Sequence, residues 1–154
     1  MGHMTSWHDR FKAIVSVYLI LLNDSGEVLL LKRQNTGFKD GEWGLPAGHV
    51  DGEEELMQAM GREAKEEVGI DLDPVDLTLV HVMHRHCGDH ERMDYFMTAR
   101  KWSGEVHNCE PDKCSDLTWA PLDALPDGVI DYYVQAFNKI REGEVYSGFG
   151  WEHC

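Results

Sequence analysis

The chain has 154 residues, 42% of them hydrophobic, and a formal net charge of −14, a composition typical of one globular domain with a substantial core. The acidic balance argues against binding to duplex DNA or RNA, which depends on clustered Lys and Arg. The apolar run AIVSVYLILL at 13–22 is too short to span a bilayer, so no membrane association is expected.

The opening MGHM at 1–4 is interpreted as an expression-vector remnant, and 5–154 as a single domain. No signal peptide is recognisable in the short polar segment before the first apolar run. The four cysteines form no CxxC pair. Reduced thiols in a cytoplasmic protein are therefore expected.

The first half of the chain begins with two strands. Residues 13–22 and 27–34 are apolar and rich in β-formers, and the turn cluster NDSG at 23–26 predicts that they form a hairpin. Continuous apolarity indicates that both faces of each strand are buried. The glycine-rich segment 35–49 is predicted to be a functional loop.

A helix is predicted over 51–69, with Asp51 as its N-cap and Gly69 as its C-terminal stop. The interior glycine, Gly61, costs about 1 kcal/mol relative to alanine, which suggests a close packing contact there.

The second half continues with two alternating segments, 75–86 and 92–102, that are predicted to be adjacent strands. A short strand at 116–122 and an amphipathic helix at 129–142 follow. The element order β-β-α-β-β-β-α predicts an α/β domain in which a sheet lies between helices.

The 51–69 helix carries carboxylates where apolar side chains are expected. At about 100° per residue, Glu63 and Glu67 fall on the stripe of Leu56 and Met60, and Glu66 falls at its border. Carboxylates are rarely buried without a partner. Solvated surface glutamates are the simplest alternative, but the amphipathic pattern points two of the three inward.

Arg62 offers an internal ion pair, since it reaches Glu66 at i,i+4. One arginine does not neutralise three inward carboxylates. A divalent cation does, and oxygen ligands favour Mg²⁺ or Mn²⁺ over Zn²⁺. Because Mg²⁺ is commonly shared with substrate phosphates, a carboxylate cluster beside a glycine-rich loop indicates phosphate chemistry.

The segment GHVDGEEELMQAMGREAKEEVGI at 48–70 resembles the Nudix box. Ala64 occupies an aliphatic position usually held by a larger residue, which is a mild departure. The fixed box positions are filled by Gly48, Glu54, Arg62, Glu63, Glu66, Glu67 and Gly69. The resemblance implies a Nudix α/β/α sandwich with a mixed central β-sheet, and hydrolysis of a nucleoside diphosphate linked to another group.

Carried over to this chain, the resemblance implies a catalytic set of Arg62, Glu63, Glu66 and Glu67. The three glutamates would ligate Mg²⁺, for which Mn²⁺ could substitute, together with the carbonyl of Gly48. Arg62 would orient the glutamates, and Glu54 would support the helix start or the metal shell. Which glutamate acts as general base stays open.

Two further stretches resemble MutT-type nucleoside triphosphate pyrophosphatases. The first is LLLKRQ followed by GEWGLPAGHVD, and the second is EPDKCSDLTWAPLDALP at 110–126. This implies a small-molecule nucleotide substrate cleaved to a monophosphate and pyrophosphate, with oxidised nucleotides such as 8-oxo-dGTP as a hypothesis. Nucleotide sugars, CDP-alcohols, capped RNA and an inactive nucleotide-sensing domain remain alternatives. The sequence does not distinguish a monomer from a homodimer.

The substrate-binding candidates are Arg33, Trp43, Gly48 and His84. For Arg33, a phosphate contact and an exposed strand-end arginine are equally plausible. Lys32 is disfavoured because neighbours on a strand face opposite ways.

Several other residues are weaker candidates. A further metal ligand is expected from the later loop, at Glu110 or Asp112, and base contacts are considered for four aromatic or acidic residues: Phe38, Tyr95, Trp119 and Asp123. The five histidines of the second half, His81, His84, His86, His90 and His107, match no closed zinc spacing.

Overall fold

A computed structural model describes residues 6–152, so the vector-remnant prediction at 1–4 and the thiol of Cys154 lie outside the described residues. Residues 6–152 form eight strands and two α-helices. The strands are β1 Ile14–Leu21, β2 Glu27–Arg33, β3 Trp43–Gly44, β4 Ala47–His49, β5 Thr78–His86, β6 Glu91–Ala99, β7 Cys114–Pro121 and β8 Tyr146–Phe149. The helices are α1 Leu56–Val68 and α2 Asp131–Arg141, with short 3-10 helices at Trp7–Asp9 and Pro74–Asp76. None of the helices found between residues 6 and 152 is long and apolar enough to cross a membrane.

The central sheet has five strands in the order β4-β1-β6-β5-β8. It is mixed, because β1 runs parallel to β6 and antiparallel to β4, and β5 runs antiparallel to β6 and parallel to β8. One face packs Val17 and Leu19 against α1, and the other packs Tyr18 and Ile20 against α2. The predicted α/β fold with a mixed central sheet and burial of β1 on both faces is confirmed.

The predicted hairpin of the first two strands is wrong. The second strand, β2, belongs to a separate three-stranded sheet in the order β3-β2-β7. A single bridge between Leu22 and Val28 joins the two strands after the turn. The strands diverge because β4 and β6 occupy both edges of β1, and β3 and β7 occupy both edges of β2.

Three short elements were not predicted. The segment 35–49 is a loop only in part, since it contains β3 and β4. The strand β8 follows α2 and pairs with β5. It is tied down by the buried ring of His81, whose Nδ1 lies 2.9 Å from the carbonyl oxygen of Glu144 and whose Nε2 lies 2.8 Å from the hydroxyl of Ser147. His81 is therefore a core histidine.

The helix α1 begins later than predicted. Asp51 is not its N-cap, because the helix begins at Leu56 after Glu55, whose backbone N–H donates to Oε1 of Gln58 at 3.0 Å. The preceding turn is held instead by Glu54, whose carboxylate accepts the backbone N–H of Asp51 at 2.8 Å.

The C-terminal end of α1 is as predicted. Gly69 adopts a left-handed conformation with φ of 76°, which glycine adopts without strain, and its N–H donates to the carbonyls of Ala64 and Lys65. The packing explanation for Gly61 is wrong, because a Cβ there would meet only the carbonyl oxygen of Leu72, at 4.0 Å.

Candidate active site

The helix α1 presents two glutamates to β4. The amide of Ala47 lies 3.3 Å from Oε2 of Glu67, and a Cβ added to Gly48 would overlap the carboxylate of Glu63. The side chain of Glu63 is 14% exposed, whereas that of Glu66 is 53% exposed. The helix therefore turns Glu63 and Glu67 toward the sheet and leaves Glu66 at the border, in agreement with the projection from the sequence.

Arg62 connects these carboxylates to the turn before the helix. Its Nε and Nη2 donate to the two oxygens of Glu54 at 3.1 and 2.8 Å, and Nη2 also donates to the carbonyl of His49 at 3.1 Å. Its Nη1 lies 2.9 Å from Glu63 and 3.4 Å from Glu66. The carboxylate of Glu54 holds the pKa of Arg62 above its usual value, so Arg62 stays charged while it contacts Glu54, Glu63 and Glu66.

The pair of Glu63 and Glu67 is electrostatically unfavourable without a cation. Burial, and next the adjacent Glu63 carboxyl, raise the pKa of Glu67 well above its usual value, and the charge of Glu110 adds to this effect. Burial also raises the pKa of Glu63, although Arg62 opposes the change. Two carboxyls held together in a partly buried position favour sharing a proton or binding a cation.

The donor set fits a hard divalent cation. The carboxyl groups of Glu63 and Glu67 are in contact, and the backbone of Gly48 lies against Glu63, so the side-chain donors are oxygens, as Mg²⁺ or Mn²⁺ prefers. Within residues 6–152, no three His, Cys, Asp or Glu side chains already converge on a closed metal site. Glu66 lines the same cavity, and its Oε1 lies 3.4 Å from Nη1 of Arg62.

A cavity of about 350 Å³ opens in front of these carboxylates and is termed here the acidic cavity. Its walls combine four carboxylates with three cationic side chains: Glu63, Glu66, Glu67 and Glu110, with Lys32, Arg33 and Lys113. A site with both signs of charge suits a cation bound together with a polyphosphate. Of the two later-loop candidates, Glu110 lines this cavity and Asp112 does not.

The argument that disfavoured Lys32 is wrong. The pairing of β2 with β7 shifts register between Lys32, which faces Asp116, and Arg33, which faces Cys114. This bulge breaks the strict alternation of the strand, so both cationic residues line the acidic cavity.

A second cavity, of about 460 Å³, adjoins the first and is termed here the aromatic cavity. The two cavities share Arg33 and Ala47. The guanidinium of Arg33 donates to the carbonyl of Phe38 at 2.8 Å and lies 5.6 Å from the centre of the Phe38 ring. Arg33 thus lies between a site suited to phosphates and a site of nucleoside size.

Two substrate-binding candidates lie outside the lining of both cavities. His84 has its Nε2 2.7 Å from the carboxylate of Glu91, and its ring packs edge-on against Trp151. The ring of Trp43 lies under the ammonium of Lys32, 5.7 Å from the ring centre. Neighbouring Gly44, and not Trp43, lines the acidic cavity.

Of the four weaker base-contact candidates, one lines a cavity and three do not. Phe38 lines the aromatic cavity, but Asp123 does not line either cavity. Tyr95 and Trp119 pack against the hydrophobic core under α1, and Trp119 stacks on Trp102. The histidines are dispersed over separate contacts, and none of those in residues 6–152 joins a metal cluster.

Sequence reasoning missed the polar residues beneath the aromatic cavity. Arg85 lines the cavity from β5, and Asp94, which is fully buried, pairs with it from β6. The available signal was alternation: Arg85 falls in phase with Met83 on β5, and Asp94 falls in phase with Phe96 on β6, both on the buried side.

The fold and site define a class of protein: an α/β/α domain that presents a glutamate-rich helix to a charged cavity of polyphosphate size. The NUDIX domain model matches residues 12–138, and the chain belongs to the NUDIX domain family. The Nudix fold inferred from the sequence is confirmed.

Particular relatives and one solved structure are similar to the chain. The mouse (Mus musculus) protein named 8-oxo-dGDP phosphatase NUDT18 is 39% identical over 112 residues, which cover 71% of this chain and 33% of that protein. A protein of Mycobacterium tuberculosis named putative 8-oxo-dGTP diphosphatase 3 is 29% identical over 65% of this chain and 46% of its own. The crystal structure of a MutT NUDIX hydrolase from Burkholderia pseudomallei is 32% identical and has a TM-score of 0.74, over 82% of this chain and 97% of that one. The chain therefore spans about a third of the length of the mouse relative.

Proposed function

We propose that the chain is a Mg²⁺-dependent pyrophosphohydrolase that converts a nucleoside or deoxynucleoside triphosphate and water into the monophosphate and pyrophosphate. The observation that carries the proposal is the partly buried Glu63–Glu67 pair at the wall of a cavity that also holds Lys32, Arg33 and Lys113. A carboxylate pair of this kind favours a divalent cation, and the three cationic side chains favour the substrate phosphates.

In this proposal, Glu63, Glu66, Glu67 and the carbonyl of Gly48 hold Mg²⁺, with Mn²⁺ as a substitute. The bound cation would neutralise phosphate charge and lower the pKa of a water molecule. Arg62 fixes the orientation of Glu63 and Glu66 through its bonds to Glu54. One of the glutamates accepts the proton of the attacking water.

Substrate contact is assigned to the junction of the two cavities. Arg33 binds phosphate at that junction, and Lys32 and Lys113 assist from the walls of the acidic cavity. The nucleoside occupies the aromatic cavity beside Phe38. The geometry supports no direct contact for Trp43 or His84, because neither residue lines a cavity.

Oxidised guanine nucleotides are the first substrates to test. The mouse relative is named for 8-oxo-dGDP and the mycobacterial relative for 8-oxo-dGTP. Hydrolysis of the diphosphate would release the monophosphate and inorganic phosphate, and hydrolysis of the triphosphate would release pyrophosphate. We also propose a cytoplasmic location, supported by three unpaired thiols in residues 6–152: Cys87, Cys109 and Cys114.

The test is product analysis with Mg²⁺ and a panel of 8-oxo-dGTP, 8-oxo-dGDP, the ordinary nucleoside triphosphates, a nucleotide sugar, a CDP-alcohol and capped RNA. The expected result is a monophosphate with pyrophosphate from a triphosphate. Preferential release of inorganic phosphate from 8-oxo-dGDP would move the activity to diphosphates. Absence of hydrolysis across the panel, with nucleotide binding retained, would leave a sensing domain and refute the enzymatic proposal.

A further inference from the structure

The floor of the aromatic cavity is polar at one end, on a sheet face that is mostly apolar. Ser16 and Tyr18 lie two residues apart on β1, and Asp94 is the register partner of Ser16 on β6. Arg85 reaches the same place from β5. Ser16, Asp94 and Arg85 are three of the five buried polar or charged residues found in residues 6–152.

Arg85 is held rigidly in this floor. Its Nε donates to Oδ2 of Asp94 at 2.7 Å, and its Nη2 lies 3.3 Å from the hydroxyl of Tyr18. Its guanidinium carbon stands 3.9 Å from the ring centre of Tyr132. The Nη1 group takes part in neither hydrogen bond, and Arg85 is among the residues that line the cavity, so this group is available to a ligand.

Asp94 offers no acceptor to a ligand. Its Oδ2 accepts from Arg85, and its Oδ1 accepts the hydroxyl of Tyr18 at 2.9 Å. Burial raises the pKa of Tyr18 well above its usual value, which keeps this hydroxyl protonated as a donor. Asp94 is fully buried and does not line the cavity. The charged part of the floor therefore presents donors only.

Ser16 supplies the second observation. Its hydroxyl is the one buried side-chain oxygen or nitrogen in residues 6–152 that lacks a hydrogen-bond partner. The residue is 2% exposed and lines the aromatic cavity. An unpaired buried hydroxyl is unfavourable in the empty protein, and a ligand that satisfies it recovers that cost.

We propose that Arg85 and Ser16 form a base-recognition pair that selects a nucleobase with a carbonyl oxygen over adenine. The guanidinium has five N–H donors and no acceptor, so it complements a carbonyl oxygen and opposes the exocyclic amino group of adenine. The hydroxyl of Ser16 either donates or accepts, so it pairs with a neighbouring ring nitrogen or carbonyl. This inference deepens the proposed function, because it rests on the aromatic cavity as the nucleoside site.

The test uses dIMP and dAMP, whose bases differ at position 6, a carbonyl or an amino group, and at the adjacent N1, which is a donor in dIMP and an acceptor in dAMP. Both are monophosphates, so their dissociation constants, measured by calorimetry with Mg²⁺, do not depend on turnover. The wild-type protein is expected to bind dIMP about tenfold or more tightly than dAMP. Ser16→Ala should weaken dIMP binding about three- to tenfold without lowering the melting temperature. Arg85→Lys keeps a positive charge beside Asp94, but its single nitrogen pairs with Asp94 and leaves no counterpart of the Nη1 group for the ligand, so the ratio should fall toward one.

Ser147→Ala is the matched control. Ser147 is also a buried serine, but its hydroxyl is paired with His81 at 2.8 Å. This variant is expected to lower the melting temperature and to leave both dissociation constants unchanged. Equal binding of dIMP and dAMP by the wild-type protein, or unchanged dIMP binding in Ser16→Ala, would overturn the base-recognition pair. Neither result depends on hydrolysis, so a failure here is distinct from a failure of the proposed activity.

Discussion

The Glu63–Glu67 pair gives the metal-free protein a stability that depends on pH in a defined direction. Burial, and next the Glu63 carboxyl, raise the pKa of Glu67 well above the value of 4.5 that a free glutamate has. A carboxyl with a raised folded-state pKa favours the folded state fully below the unfolded-state pKa, and this contribution is lost as the pH rises through the folded-state pKa. Stability from this pair should therefore fall as the pH rises above the usual glutamate pKa, until the raised folded-state pKa of Glu67 is passed.

The substitution Glu67→Gln removes the charge and preserves the shape of the side chain. Each tenfold difference between the folded-state and unfolded-state acid constants of Glu67 corresponds to about 1.4 kcal/mol. As the pH rises, the wild-type protein should lose this stability and Glu67→Gln should not. The difference between their free energies of unfolding should therefore grow by about 1.4 kcal/mol for each tenfold difference between the two acid constants. The assay is urea unfolding in EDTA across this pH range. Adding Mg²⁺ at about a hundredfold excess over its dissociation constant should stabilise the wild-type protein by about 2.7 kcal/mol, and the variant by much less.

The control is Glu142→Gln, at a side chain that is 57% exposed and lies beyond the end of α2. It should reproduce the wild-type pH dependence and the wild-type response to Mg²⁺. Parallel stability curves for Glu67→Gln and the wild-type protein, or equal stabilisation of both by Mg²⁺, would refute the reasoning about the buried pair.

Three further substitutions test individual positions. Gly61→Ala should stabilise the protein by about 0.5–1 kcal/mol, or about 1–4 °C in melting temperature, with unchanged activity, because a Cβ there would meet only the Leu72 carbonyl oxygen, at 4.0 Å. A lower melting temperature by calorimetry would restore the packing explanation. Gly48→Ala should lower Mg²⁺ affinity and kcat about 10- to 100-fold, because a Cβ would displace Glu63. If the variant binds Mg²⁺ and turns over substrate as the wild-type protein does, Gly48 is not part of the site. Arg62→Lys keeps the charge but loses the bidentate hydrogen bond to Glu54, so kcat should fall about 10- to 100-fold. An unchanged kcat in steady-state kinetics would show that Arg62 does not orient the glutamates.

The helix that carries the glutamates was predictable because the sequence pattern that indicates it lies within the helix itself. A single helical period places Glu63 and Glu67 on the core-facing side, and the structure places both against the sheet. The beginning of the helix was not predictable by the same reasoning. Asp51 satisfies the general preference for an N-cap, but the Glu54–Arg62 ion pair orders the preceding turn and moves the helix start to Leu56.

The sheet arrangement and the cavities depend on contacts between distant parts of the chain. Strand patterns gave the positions of β1 and β2, but not that their edges are taken by other strands. The bulge that brings both Lys32 and Arg33 into the acidic cavity comes from pairing with β7, more than 80 residues later. No local period reports such a shift.

The polar floor of the aromatic cavity was missed for the same reason. Arg85 and Asp94 lie on neighbouring strands, and their pairing follows from the register of β5 with β6. The substrate-binding candidate His84 is the immediate neighbour of Arg85 on β5. Alternation along β5 turns Arg85 into the cavity and His84 to the other face, where it packs against Trp151.

Hydrolysis of 8-oxo-dGTP by the wild-type protein and by Glu67→Gln, each with Mg²⁺ and with EDTA, tests whether the buried carboxylate pair is the centre of a metal-dependent pyrophosphohydrolase. The expected result is Mg²⁺-dependent release of 8-oxo-dGMP and pyrophosphate by the wild-type protein, and a rate at least about 100-fold lower in the variant. Hydrolysis that persists in EDTA, or that is undiminished in a folded Glu67→Gln variant, would contradict this assignment.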